Sequence, residues 1–456
     1  MRALALLLLL APPQEKSLRD VLDAAVQGSK IKEGRAAVLV YSVREGRAVY
    51  GLQEREALVL ASNTKLFTTS AALARLGPGY VFRTPVGLAG EELHVFGAGD
   101  PNISGRFHDD DPAAVFKRWA GKLKTAGVTK VADVVLHTGL FEGPSMNPGW
   151  KDYDPWWWWA APFGPLSLND NCVDVGLEPA ADGEPARVVL SPDTGYVKIV
   201  NSTKSAKKPA RPFGFTRRAG TNTIALTGDV GAKAVYSVAI HDPAQYFGTV
   251  LLETLAREGV SCTGRLRESK APLAETPGFR EIDAAEHGLP ETLAACNQPS
   301  QNFYAEMILR VLGAKAAGVG SLENGLAAVR EFAEKDLKID TLAQSDGSGL
   351  TRENRASAAD VVKLLLHMRE HENAKTFIDS LPVNGAEKGT LRRRLLAPDL
   401  RGRVRAKTGH VAGVSALSGY IDAAGGDTFV FSILVNAPGG GDALQDRLCE
   451  ILARWK

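Results

Sequence analysis

The stretch ASNTKLFTTSAALARLG, residues 61–77, decides how the chain is read. Leu66, Leu73 and Leu76 recur at helical spacing and Gly77 is a natural stop, so the segment predicts a helix with Ser62 at its start. Residues three apart share a helix face, which brings the Lys65 ammonium within reach of the Ser62 hydroxyl. The free N–H groups of the first turn favour negative charge developing there. Ser-x-x-Lys equally describes an N-cap serine followed by a surface lysine, and the pattern recurs at Ser29–Lys32 and Ser205–Lys208. Only Ser62 opens an apolar helix directly after a hairpin. That hairpin is AAVLVYSV (36–43) and AVYGLQ (48–53), turned by residues 44–47.

Outward from there, 456 residues at roughly 150 per domain suggest two to four domains. A formal net charge of +2 gives no reason to expect nucleic acid or another polyanion as partner. The start, MRALALLLLLAPPQ (1–14), has one arginine before a short apolar run and reads as a secretory leader. It is too short to span a bilayer, and no other segment reaches that length. The expectation is an exported protein, in the periplasm or on the extracytoplasmic face of a bacterial cell. Its four cysteines lie far apart and form no metal pattern. Export allows a disulfide, with Cys172–Cys262 as the candidate pair; buried free thiols are the alternative.

From Gly77 to Ala284 short β-like runs alternate with Gly/Pro loops. Helices return after about residue 289, in PSQNFYAEMILRVLG (299–313) and SAADVVKLLLHM (357–368). RVRAKTGH (403–410) reads as a strand, GVSALSGYIDA (413–423) and DTFVFSILVNA (427–437) as a hairpin, and ALQDRLCEILARWK (443–456) as an amphipathic helix. One sheet built from both termini, covered by helices and interrupted by a long excursion, fits this order.

Ser62-Asn63-Thr64-Lys65, Ser300-Gln301-Asn302 and Lys407-Thr408-Gly409 occur in the order of the S-x-x-K, S-x-N and K-T-G set of penicillin-recognising serine enzymes. With GAGDPNIS (97–104), LSLNDNCVDV (166–175), SDGSGLTREN (345–354) and LPVNGAEKGTLRRR (381–394), the chain resembles the penicillin-binding-protein-4 type of D-alanyl-D-alanine carboxypeptidase/endopeptidase over nearly its whole length. The resemblance implies an α+β fold. A serine β-lactamase/DD-transpeptidase-like domain, an antiparallel sheet flanked by helices, would carry a large, mainly β, two-part insertion. The expected division is a catalytic domain at 15–76 and 285–456, inserted domain II at 77–91 and 158–284, and inserted domain III at 92–157. It further implies peptidoglycan stem peptides as substrate, β-lactams as covalent inhibitors, and no cofactor or metal.

On this reading Ser62 attacks the carbonyl between two terminal D-alanines, with Lys65 as its base, because serine is a weak nucleophile without one. Burial and the Lys407 cation would lower the Lys65 pKa. Ser300 passes a proton to the leaving amine, and Asn302 holds the substrate amide or orients Lys65. Lys407 and Thr408 hold the substrate carboxylate, and Gly409 lets the peptide lie along the strand. The backbone N–H groups of Ser62 and His410 form the oxyanion hole. His410 stands where the family usually has a small hydroxyl residue. The resemblance also places Asp154 at the site mouth, where it would bind a free side-chain amine, and offers Arg352 to a substrate carboxylate. As alternatives, Asp154 is a turn residue and Arg352 a surface ion-pair partner.

His367-Met368-Arg369-Glu370-His371 matches H-x-x-E-H, but an exposed helix end accounts for it and no third ligand is evident. The basic stretch 202–218 and the triplet Asp109–Asp111 read as solvated loops. Two other functions stay open on sequence alone: a serine β-lactamase or esterase on the same fold, and a non-catalytic wall-binding scaffold. The long insert argues against the first. The intact set Ser62, Lys65, Ser300, Asn302 and Lys407 argues against the second.

Overall fold

The computed structural model describes residues 17–29, 31 and 35–456. The expected leader, and Lys32 of the Ser29–Lys32 pattern, lie outside these residues. The sheet expected from the two termini is present. Its strands run in the order Val404–Val411, Val414–Asp422, Thr428–Asn436, Arg35–Ser42, Arg47–Leu52, all antiparallel. The side chains alternate between two cores, as the two-residue strand period requires. Phe429, Phe431, Ile433 and Val435 pack with Leu22, Leu448 and Leu452 of the terminal helices Leu18–Gln27 and Asp442–Arg454. Val430 and Leu434, on the opposite face, join the core of the Thr64–Leu76, Asn302–Ala317 and Ala358–Glu370 helices. A sheet buried on both faces accounts for the near-continuous apolar run from Phe429 to Val435.

The insert contains a five-stranded sheet in the order Leu266–Ser269, Val134–His137, Glu92–Phe96, Val81–Ala89, Arg280–Gly288. Its first three strands are mutually parallel, and parallel neighbours need a crossover. The helices Ala114–Thr125 and Pro243–Arg257 supply it. The sequence reading assigned no helix there, although Val115, Phe116, Trp119, Ala120 and Leu123 show helical spacing and are buried. The strands between Cys172 and Ala239 form two three-stranded sheets, and Lys130–Val131 pairs with Ser261–Cys262.

Strand pairing crosses one of the expected boundaries of the insert. The boundary between domains II and III at 91/92 cuts the hairpin that pairs Val81–Ala89 with Glu92–Phe96. Strand hydrogen bonds therefore group 92–96 and 134–137 with 81–89, and the separate pair of sheets lies at 172–239. Of the two cysteine alternatives, the structure has the free thiols: all four cysteines are unpaired. Cys262 Sγ donates to the Ala132 carbonyl, while Cys172 is buried in a different sheet. The solvated-loop expectation for 202–218 holds only in its middle, where 207–212 are exposed; the stretch as a whole is less a loop than expected. It contributes to the strands Lys198–Ser205 and Gly214–Arg217, and buried Arg217 donates to the carbonyls of Ala239, Thr221 and Pro155.

Candidate active site

The Ser62 turn is held by its surroundings. Ala61–Asn63 form a single 3-10 turn that runs into the helix at Thr64. Ala61 is fully buried with φ 46°, a left-handed conformation that costs energy for any residue with a side chain. The cost is offset by contacts on three sides. Leu60 N–H donates to Asn354 O at 3.0 Å, Thr64 Oγ1 donates to Ala61 O at 2.9 Å, and Asn63 Nδ2 donates to Lys407 O at 3.0 Å. The last bond fixes the helix start to the K-T-G strand. At Gly409 a Cβ would lie 2.8 Å from Leu60 O and 2.9 Å from Ser62 N, so only glycine lets strand and turn meet this closely.

Lys65 is fully buried. Its Nζ lies 2.8 Å from Ser62 Oγ, 2.7 Å from Asn302 Oδ1 and 2.7 Å from Ser348 O. Asn302 Nδ2 donates to Trp159 O at 2.8 Å, which turns the amide oxygen toward the lysine. Asn302 Oδ1 and Ser348 O can only accept. A neutral Lys65 therefore spends its two N–H bonds on them and keeps its lone pair for the Ser62 hydroxyl. Burial lowers the Lys65 pKa to about 8, opposed by Cys296, Asp346 and Glu306.

Lys407 Nζ donates to Ser300 Oγ at 2.8 Å and Thr408 O at 2.9 Å. Burial, and then the charge on Lys65, push its pKa well below the ordinary value. Like charges repel mutually, so the two buried ammoniums, each held below the ordinary lysine value by burial, titrate as a coupled pair. Ser300 has φ 65°, a conformation that presents its hydroxyl at the start of the Asn302 helix. Thr408 Oγ1 meets Thr390 Oγ1 at 2.7 Å.

The three motifs thus converge. Ser205, the rival serine, is buried at the end of a strand, and its hydroxyl accepts from Ala180 N–H. Asp154 and His410 are exposed. Arg352 is exposed as well and donates to Ala412 O at 2.7 Å, beside the end of the K-T-G strand. Tyr153 Oη donates to Leu350 O, which brings the 150–154 and 345–354 segments together.

Two groups that carry Lys65 have no role in the sequence reading. Buried Glu306 accepts from Gly347 N–H at 2.9 Å and Ser348 N–H at 3.0 Å, aiming the Ser348 carbonyl at Lys65. Its carboxyl is pushed up to about 7 by burial and Asp346, against the pull of Arg310 at 3.2 Å. Buried Asp346 accepts from Gly349 N–H, Thr351 N–H, Asn354 Nδ2 and Trp150 Nε1. The signal for this loop was SDGSGLTREN itself, dense in turn residues. Its role as a cradle depends on contacts distant in sequence.

Glu306→Ala is expected to destabilise the fold by about 3 kcal/mol, because it leaves Arg310 buried and unpaired, and to slow acylation. Urea unfolding and benzylpenicillin acylation rates check both; unchanged values would remove the cradle role. Gly349 has φ 83°, and a Cβ there would lie 1.8 Å from Ala61 O. Gly349→Ala is expected to cost at least about 2 kcal/mol and to displace the Ser62 turn. A lowered melting temperature together with slower acylation would show this.

The sequence profile of the D-Ala-D-Ala carboxypeptidase 3 (S13) family matches residues 18–455. The chain belongs to this family. It is 32% identical to a D-alanyl-D-alanine carboxypeptidase of Actinomadura sp. (strain R39), over 96% of this chain and 85% of that one. It is 23% identical to D-alanyl-D-alanine carboxypeptidase DacB of Haemophilus influenzae, over 91% and 88%. The crystal structure of penicillin binding protein 4 (dacB) from Haemophilus influenzae superposes with a TM-score of 0.80, covering 95% of this chain and 99% of that one at 20% identity. Bd3459, a predatory peptidoglycan endopeptidase from Bdellovibrio bacteriovorus, shares the fold at a TM-score of 0.53, covering 91% and 90% at 16% identity. The fold is the penicillin-binding-protein-4 type.

Proposed function

We propose that this serine-type D-Ala-D-Ala carboxypeptidase works through an acyl-enzyme on Ser62. The enzyme class follows from the family. The residue assignment rests on one observation: Lys65 Nζ stands 2.8 Å from Ser62 Oγ with its other two neighbours both acceptors. Neutral Lys65 takes the Ser62 proton as Oγ attacks the penultimate D-alanine carbonyl. The developing oxyanion is met by the N–H groups of Ser62 and His410. Ser300, held by Lys407, delivers a proton to the departing amine. Lys407 and Thr408 attract the terminal carboxylate, and water then releases the acyl group. Where the departing amine belongs to a second stem peptide, the same steps make the enzyme an endopeptidase.

We assign the substrate as peptidoglycan stem peptides outside the cytoplasm, with β-lactams as covalent inhibitors. Among the described residues no helix is long and apolar enough to cross a membrane. The test is release of D-alanine from a pentapeptide ending in D-Ala-D-Ala, together with intact mass after benzylpenicillin. D-alanine release and a persistent one-to-one adduct on Ser62 support the reading. An adduct lost within seconds favours a β-lactamase, and neither event favours the scaffold.

Asp154 and Arg352 are proposed as contacts for the stem's own charged groups. Asp154→Asn is expected to raise KM about tenfold for stem peptides with a free side-chain amine, by loss of one charge pair. Benzylpenicillin, which lacks that amine, should acylate at the unchanged rate. Equal effects on both substrates would leave Asp154 a turn residue.

A further inference from the structure

A cleft of 990 Å³ opens beside the site between Gln301 and the insert. One wall is aromatic. Trp157 meets Phe215 edge-on at 5.3 Å, and Phe215 packs against Tyr236 at 5.6 Å. Trp158 remains 39% exposed. This wall stands on ordered backbone, since the Ala234–Ala239 strand is paired along its length with Cys172–Glu178. The cleft's polar groups are already oriented. Asp174 accepts from the Ser237 hydroxyl and from Asn169 Nδ2. Asp170 accepts from Arg106 at 2.6 Å and from Gln301 Nε2 at 3.2 Å.

Flat, partly exposed rings beside fixed carboxylates and amides suit one ligand chemistry well. A pyranose has a C–H face that packs on an aromatic ring and a rim of hydroxyl and acetamido groups that donate and accept hydrogen bonds. Two of the cleft's lining residues lie near site residues in the chain. Gln301 follows Ser300 in the chain, and Lys388, also on the cleft wall, lies two residues before Thr390, the partner of Thr408. A four-residue stem spans at most roughly 14 Å, so the sugar that carries it stays close to the enzyme cutting its far end.

We propose that this cleft is a saccharide subsite that holds the N-acetylhexosamine chain bearing the stem peptide. The inference rests on the assignment of stem peptides as substrate. It makes the insert a device for choosing glycan-attached stems over free peptides.

The experiment compares kcat and KM for a disaccharide-pentapeptide and for the sugar-free pentapeptide, in the wild type, Trp158→Ala and Tyr236→Ala, with benzylpenicillin acylation measured in each. The wild type should prefer the disaccharide-pentapeptide by about tenfold in kcat/KM, through KM. Each substitution should reduce that preference to under about threefold and leave benzylpenicillin acylation unchanged. Equal wild-type values for the two substrates, or a preference that survives both substitutions, would overturn the subsite while acylation still supports the enzyme. Absence of both acylation and D-alanine release in the wild type would instead overturn the functional reading and the subsite with it.

Discussion

Ser62→Ala is expected to abolish the penicilloyl adduct and to cut D-alanine release by at least about 10⁴-fold, with the fold intact. The hydroxyl's hydrogen bond in the structure is to Lys65 Nζ. Removing it leaves the lysine its two other acceptors, Asn302 Oδ1 and Ser348 O. The turn itself is held through backbone atoms and the side chains of Asn63 and Thr64, so alanine keeps every contact that shapes it. Intact mass after benzylpenicillin, with a thermal melt alongside, separates loss of the nucleophile from loss of the fold. A residual adduct on a folded Ser62→Ala protein would move the nucleophile to another residue.

Lys65→Met, close to isosteric and without a titratable group, should slow acylation by about 10³-fold or more, the range of a lost general base. The wild-type pH profile gives the complementary test. Only neutral Lys65 can accept the Ser62 proton, and burial places its pKa at about 8. Acylation by benzylpenicillin should therefore rise with pH through about 8 and level off above it. In Lys65→Met that limb should vanish. If it persists, the titrating group is elsewhere, and Lys407, whose pKa is also depressed, is the next candidate, because two buried ammoniums titrate as a coupled pair. The same shift sets a stability trend. Between about 8 and the unfolded value near 10.5, the unfolded chain binds more protons than the native one. Lys65's contribution therefore makes stability rise with pH across that window. Below it, the native state carries the cost of a buried ammonium.

The catalytic sheet was legible because its signals are local. The hairpin at 36–53, the K-T-G strand and the closing hairpin each show strand composition between clear turns, and within each terminal group neighbouring strands pair in chain order. The insert was harder to read. Two of its parallel strands, Glu92–Phe96 and Val134–His137, are buried on both faces and do not alternate cleanly, and the two crossover helices lie among Gly/Pro-rich segments that read as β texture. Arg217 shows the same limit. Its charge suggested solvent, yet three carbonyls brought together by folding satisfy it in the interior.

By itself the sequence determined the reactive residue types and their order. A serine and a lysine three apart on a helix, an S-x-N and a K-T-G keep their local geometry wherever they meet, because spacing within a helix or strand is set by the backbone. Only the tertiary structure decided which acceptors surround Lys65. The strained Ala61, the Ser348 carbonyl, the Glu306 that aims it and the glycines that let strand, loop and turn close together come from segments tens to hundreds of residues apart. Their effect is to bury an ammonium in a low-dielectric site and so lower its pKa. That shift depends on burial and distance, and neither is encoded in any one stretch of the chain.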